Sequence, residues 1–157
     1  MIGSTRNKTF FLDCIPPKTT HQAGARIFKT KHGTPFIGQS SKAKGVANQI
    51  QTLLLPHRPK VPFQGPLQLE LIWQYPWRKS EKKSVILAGS APCSTRPDCD
   101  NLAKLFCDQM GKAGFFKDDG QIYSLKISKI YSNTTGIKCS LTEVNQNING
   151  NLPLILW

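Results

Sequence analysis

The sequence predicts a single α+β domain built on a mixed β-sheet with two main helices. Three observations carry that prediction. Apolar and polar residues alternate in several separate stretches, the period of a half-buried strand. Two other stretches repeat their apolar residues at helical spacing. The chain of 157 residues is long enough for one core, with no internal repeat or composition break to divide it. Residues 1–157 are therefore expected to form one domain, with 145–157 as a C-terminal extension.

The elements follow in chain order. Thr9 to Ile15 (TFFLDCI) is expected to be a first strand, stopped by Pro16-Pro17. Lys18 to His32 is basic and rich in Thr and Gly, consistent with a hairpin or an ordered loop, with ARIFKT as a strand. Ser40 and Ser41 can cap a helix from about Lys42 to Leu55, in which Val46, Ile50, Leu53 and Leu54 share a face. Pro56 ends it. Gly65 to Trp77 places Leu67, Leu69, Leu71 and Trp73 on one side and Gln68, Glu70 and Gln74 on the other, a half-buried strand. Arg78 to Pro97 is basic and rich in Ser, Gly and Pro, the composition of a long functional loop.

From Asp98 the period becomes helical. Leu102, Leu105, Phe106, Met110 and Ala113 form one apolar stripe, and Gly114 suits the C-terminal cap. FFKDDGQ makes a turn. Tyr123, Leu125 and Ile127 alternate with Ser124, Lys126 and Ser128 in a strand running to Tyr131. SNTTG turns a hairpin, and Ile137, Cys139 and Leu141 alternate up to Val144. NQNINGNLPLILW is a polar linker with a short apolar end.

The net charge of +12 favours a polyanionic partner. No apolar run is long enough to span a bilayer, so no membrane is expected. The first residues resemble a signal peptide only weakly, because their apolar run is short and Asp13 interrupts it. Five cysteines without a CxxC pair suggest free thiols in a reducing cytoplasm. Cys99, between Asp98 and Asp100, is expected to be a small buried side chain. His21, His32 and His57 lack metal-ligand spacing. Neither GxxxxGK[ST] nor GxGxxG occurs, which argues against a nucleotide cofactor.

The distribution of charge is more informative than its sum. Five of the nine acids fall between residues 98 and 119, and only three of the 21 basic residues do. An acidic island in a basic chain has the character of a cation site set in an anion-binding surface. Asp98 and Asp100 stand two apart at a helix start, and Lys104 and Asp108 follow on the Asp100 face at successive turns. If the strand after Asp119 begins beside the helix N-terminus, three carboxylates converge into a hard oxygen site for Mg²⁺ or Mn²⁺. Such a site can acidify a water at a phosphodiester, with Lys104 stabilising the developing charge. Each part also has a plainer role. A lone Asp98 or Asp100 caps a helix, Asp118-Asp119-Gly120 makes a turn, and Asp108 pairs with Lys104 or Lys112.

The segment RPDCDNLAKLFCDQMGKAGFFKDDGQIYSLKISK, from Arg96 to Lys129, resembles the signature of the RusA family of Holliday junction resolvases. A basic residue precedes D-x-D-N-L-x-K. A helix with an Asp before its last turn follows, and then D-D-x-Q-[IV] leads into a strand. The N-terminal strand ending in Pro16-Pro17 also resembles the family's opening. Between Gly33 and Thr95 only the order of elements is similar. The resemblance implies a homodimeric, Mg²⁺-dependent endodeoxyribonuclease, with Mn²⁺ as a substitute, that cuts four-way DNA symmetrically and is often carried by phages. It places catalytic carboxylates at Asp98, Asp100 and Asp119, an essential lysine at Lys104 and an auxiliary ligand at Asp118. Cys99 stands where the family commonly has Leu, Ile or Val.

Basic residues near the N-terminus (Lys18, Arg26, Lys29, Lys31) and in the long loop (Arg78, Lys79, Lys82, Lys83, Arg96) are the candidates for phosphate contacts. Two alternatives stand beside this expectation. One is a less selective metal-dependent nuclease of branched DNA. The other is a non-catalytic DNA-binding protein on the same scaffold.

Overall fold

The structure, a computed structural model, describes residues 5–18, 25–39 and 41–144. In chain order its elements are β1 (Arg6–Leu12), β2 (Ala25–Lys29), β3 (Pro35–Gln39), α1 (Ser41–Leu54), β4 (Leu67–Tyr75), α2 (Lys83–Leu87), β5 (Ser90–Pro92), α3 (Cys99–Ala113), β6 (Ile122–Ser132) and β7 (Gly136–Glu143). Single 3₁₀ turns occupy Leu55–His57 and Asp119–Gln121. Strands β1, β7, β4, β6 and β5 form one sheet in that spatial order, and β2 pairs with β3 as a separate hairpin. Among the described strand pairs of this sheet β4–β6 is parallel and the other three are antiparallel, so the sheet is mixed as expected.

The alternation in each strand decides which face is buried. Phe10 and Leu12 of β1 register with Cys139 and Ile137 of β7, which register in turn with Leu71 and Trp73 of β4. All six side chains are buried on one face, together with Leu67, Leu69, Leu141 and Tyr75. The helices cover that face. Leu102, Leu105, Phe106, Met110 and Ala113 of α3 are buried, joined by Ile50 and Leu54 of α1. Phe106 meets Trp73 edge-on, with ring centroids 5.8 Å apart. Each such side chain contributes about 1.5–3 kcal/mol on burial. The opposite face, with Gln68, Glu70, Lys138 and Ser140, is half-buried or exposed.

Several boundaries differ from expectation. The first strand is Arg6–Leu12, so Asp13, Cys14 and Ile15 lie beyond it. Pairing with β7 runs from Arg6 to Leu12, and the partner strand sets those limits. The stretch from Arg78 to Pro97 contains α2 and β5. The Ser40 cap and the 145–157 tail lie outside the described residues. Tyr123 and Leu125, on the apolar side of the alternation in β6, are 48% and 42% exposed. β5 pairs only with Ile130–Ser132, so it does not accompany this earlier part of β6.

β1 and the start of β7 approach closely. A Cβ at Gly136 would overlap the Phe11 ring and stand 2.5 Å from the Leu12 carbonyl oxygen. Gly114 ends α3 in the left-handed conformation, at φ 86°. Phe63 then hydrogen-bonds Phe115 across to the approach of β4, and Gln121 donates to the Phe63 and Gly65 carbonyls. These contacts bring the end of α3, the Asp119 turn and the start of β4 together.

Candidate functional site

Asp98 occupies the N-cap of α3 with extended backbone, φ −75° and ψ 152°. Its side chain nevertheless makes no capping hydrogen bond. The helix N-terminus favours negative charge nearby, which offsets part of the repulsion between Asp98 and Asp100. Both are exposed. Asn101 follows, half-buried, and its Oδ1 has no hydrogen-bond partner. Cys99 is half-buried, so the expectation of burial is met only in part.

Lys104 stands one turn after Asp100 and is exposed, with Nζ 3.9 Å from Asp108 Oδ2. That is a long contact between partly solvated groups, worth little stability. Beyond it, burial first, then Asp119 and Asp108, push the Cys107 thiol up to about 12. Asp119 is therefore within electrostatic reach of Cys107, seven residues or about 10 Å along the helix axis from Asp100.

The direct neighbours Asp118 and Asp119 differ in role. Asp118 Oδ1 accepts from the Gly120 N–H at 2.7 Å. Gln121 Oε1 in turn accepts from the Asp118 N–H at 3.1 Å, completing a capping box. One oxygen of the Asp118 carboxylate is thus bonded into the turn, and the residue is exposed. Asp119 is exposed and makes neither a side-chain hydrogen bond nor an ion pair among the described residues.

The three carboxylates do not converge as the sequence suggested. That expectation required β6 to begin beside the N-terminus of α3. Instead Lys129, near the far end of β6, contacts Thr95 and Pro97 just ahead of α3. The helix runs back from there, and the Asp119 turn follows its C-terminal end. Among the described residues, no three His, Cys, Asp or Glu side chains form a group able to hold a metal ion. Asp98 and Asp100 supply the hard oxygen donors a divalent cation takes, but a third carboxylate from the same protomer is not within the group.

The pattern of ion pairs is selective. Glu70, Glu81, Asp108 and Glu143 each stand within 4.0 Å of a basic side chain. Among the described residues Asp98, Asp100, Asp118, Asp119 and the distant Asp13 have no such partner. Although the chain has 21 basic residues, none of the described ones pairs with Asp98, Asp100 or Asp119, and of the two turn carboxylates only Asp118 is bonded to the backbone.

The candidate phosphate contacts fare unevenly. Lys18, Lys29, Lys31, Lys79, Lys82, Lys83 and Arg96 are exposed. Arg26 lies in β2, and its side chain is outside the described set. Arg78 donates from Nε and Nη2 to Glu81 Oε2, at 3.1 and 2.8 Å, and lies over the Tyr131 ring. Its guanidinium is already engaged.

A model of the endodeoxyribonuclease RusA family matches residues 15–142. The chain belongs to the RusA family. It is 30% identical to the crossover junction endodeoxyribonuclease rusA of Lactococcus phage r1t over 136 residues, covering 86% of this chain and 95% of that one. It is also 28% identical to the uncharacterized protein YqaN of Bacillus subtilis strain 168, over 73% of this chain and 84% of the relative. The matched RusA region includes the Asp98–Lys104 stretch, the Asp119 turn and all of α3. The mixed sheet and its helices agree with the fold the resemblance implied. Sequence reasoning passed over Lys129, although a lysine on the apolar side of an alternating strand was a visible signal.

Proposed function

We propose that this RusA-family endodeoxyribonuclease resolves four-way DNA junctions, in a homodimer that requires Mg²⁺ or Mn²⁺. The observation that carries the reading is the unpaired state of Asp98, Asp100 and Asp119 in so basic a chain. Asp98 and Asp100 hold the cation. The chemistry such a cation would supply there is stabilisation of negative charge on the phosphate and acidification of a water. Lys104, exposed on the Asp100 face, neutralises charge that develops on the phosphate oxygens. Exposed lysines and Arg96 supply sequence-independent phosphate contacts, and junction shape supplies selectivity. The products carry a 5′-phosphate and a 3′-hydroxyl. A two-fold dimer matches the approximate symmetry of the junction and sets one site against each of two opposed strands. Because Asp119 stands apart from the Asp98–Asp100 pair in one protomer, we assign the third carboxylate of each site to the partner chain. These activities belong to a soluble, cytoplasmic enzyme with no nucleotide cofactor.

The direct test is cleavage of a synthetic four-way junction with Mg²⁺ and with EDTA, in competition with linear duplex. Asp98→Asn is expected to lower cleavage to below about 1% while keeping or tightening junction binding, because it removes negative charge next to phosphate. Retained cutting by Asp98→Asn in Mg²⁺ sinks the assignment. Equal cutting of duplex supports the less selective nuclease, and binding without any cutting supports the non-catalytic protein. A mixed dimer of Asp98→Asn and Asp119→Asn chains tests the shared site. Sharing leaves one intact site, so single-strand nicking returns, whereas sites closed within each chain stay inactive.

A further inference from the structure

Lys129 stands out because of where the sheet register puts it. β6 pairs in parallel with β4, with Leu69 opposite Leu125, Leu71 opposite Ile127, Trp73 opposite Lys129 and Tyr75 opposite Tyr131. The β4 members of these pairs are buried on the helix-facing side. Lys129, half-buried, therefore interrupts an apolar row with an ammonium group at the edge of the core. The part taken out of water needs hydrogen-bond acceptors.

It finds two backbone carbonyls. Nζ donates to Thr95 O at 2.5 Å and to Pro97 O at 2.6 Å. That uses two of its three N–H donors. No carboxylate lies within ion-pair distance of it among the described residues. The main chain of the same residue holds the same segment, since Cys93 N–H donates to Lys129 O at 3.0 Å. Thr95 is tied to the next residue on that row by a 3.2 Å hydrogen bond between its hydroxyl and that of Tyr131.

The segment so held ends at Asp98, whose own side chain bonds nothing on the helix. Its direction therefore depends on the backbone that precedes it. Cys99 onward is fixed by α3, and residues 93–97 are fixed by β6. We propose that Lys129 is the positioning residue of the acidic site, holding the Thr95–Pro97 backbone so that Asp98 is presented to the cation beside Asp100. The proposal rests on the reading of Asp98 as a metal ligand. It adds a residue that touches neither metal nor DNA, and it makes β6 the part that aims the first carboxylate.

The test compares Lys129→Met, which loses the donors, with Lys129→Arg, which keeps a cationic donor, and with Lys129→Gln, a milder neutral change should Met prevent folding. The first readout is amide exchange over residues 93–102, measured in EDTA. Exchange there is expected to rise about tenfold or more in Lys129→Met or Lys129→Gln and to fall back in Lys129→Arg, with α1 and β7 unchanged. The second readout is the Mn²⁺ concentration at half-maximal junction cleavage. It should rise about 10- to 100-fold in the neutral variants and recover in Lys129→Arg, while junction affinity in EDTA stays within about twofold. An unchanged metal midpoint, or faster exchange spread evenly over the protein, overturns the proposal and leaves Lys129 a purely structural residue. Asp98→Asn run in parallel separates the two ideas. If it still cuts, the metal-site reading fails. If it is inactive while the neutral Lys129 variants keep the parent midpoint and local exchange, only the role of Lys129 falls.

Discussion

Asp118 and Asp119 are adjacent, identical in chemistry and opposite in role. Asp118 is bonded into its turn, so Asp118→Ala should cost about 1 kcal/mol in urea unfolding, and Asp118→Asn much less because the amide oxygen still accepts from Gly120. Asp119→Asn should leave stability within about 0.5 kcal/mol, since among the described residues its carboxylate makes no hydrogen bond or ion pair, and should abolish junction cleavage if it is a metal ligand. Full cleavage by Asp119→Asn contradicts its place in the site. The sequence marked both residues as a turn and, through the family motif, the second as catalytic. It could not show which carboxylate the turn itself consumes. The same limit applied at Asp98. The N-cap position was legible, but whether the side chain makes the capping bond depends on the backbone that Lys129 holds, 31 residues away along the chain.

At the scale of elements, the period of each strand and helix was legible because it is set locally by alternating or 3.6-residue spacing. The buried faces of β4, β7 and α3 came out as read. The direction of α3 relative to β6 was not legible, because it follows from pairing β6 beside β4 in parallel across the whole helix. That single non-local fact separates Asp119 from Asp98. Two glycines give element-level tests. Gly114→Ala should cost about 1 kcal/mol, since α3 ends there in the left-handed conformation. Gly136→Ala should cost more, roughly 2 kcal/mol, because the new methyl group meets the Phe11 ring and the Leu12 carbonyl and must push β1 off β7. Equal, small effects at both sites would contradict the close β1–β7 approach.

For the whole molecule, three of the free thiols, Cys14, Cys107 and Cys139, lower stability as pH rises. Cys93 opposes them, since its burial is outweighed by hydrogen bonds to Thr95 and Tyr131 that lower its pKa. Burial raises Cys14, with Asp13 adding to it. Burial also raises Cys107, to about 12, and Cys139 further still. A thiol whose folded pKa is raised lets the unfolded chain release its proton first. Its stabilising contribution is complete below the unfolded pKa, near 8.5, and is lost as pH rises towards the folded value. For Cys107 that amounts to roughly 1.4 kcal/mol per pH unit above about 9. Urea unfolding in reductant should show lower stability at pH 10 than at pH 8, and Cys107→Ala should flatten the slope. Equal stability at the two values would contradict buried neutral thiols. The sheet order has a further consequence for synthesis. Arg6 pairs with Glu143 and Leu12 with Ile137, so among the described residues β1 has its sheet partner in β7, which is synthesised well over a hundred residues later. At ordinary translation rates β1 waits on the order of ten seconds with Phe10 and Leu12 unpaired. Until β7 is made, the nascent chain exposes an apolar edge that the finished sheet covers, and the core that carries α3 cannot close.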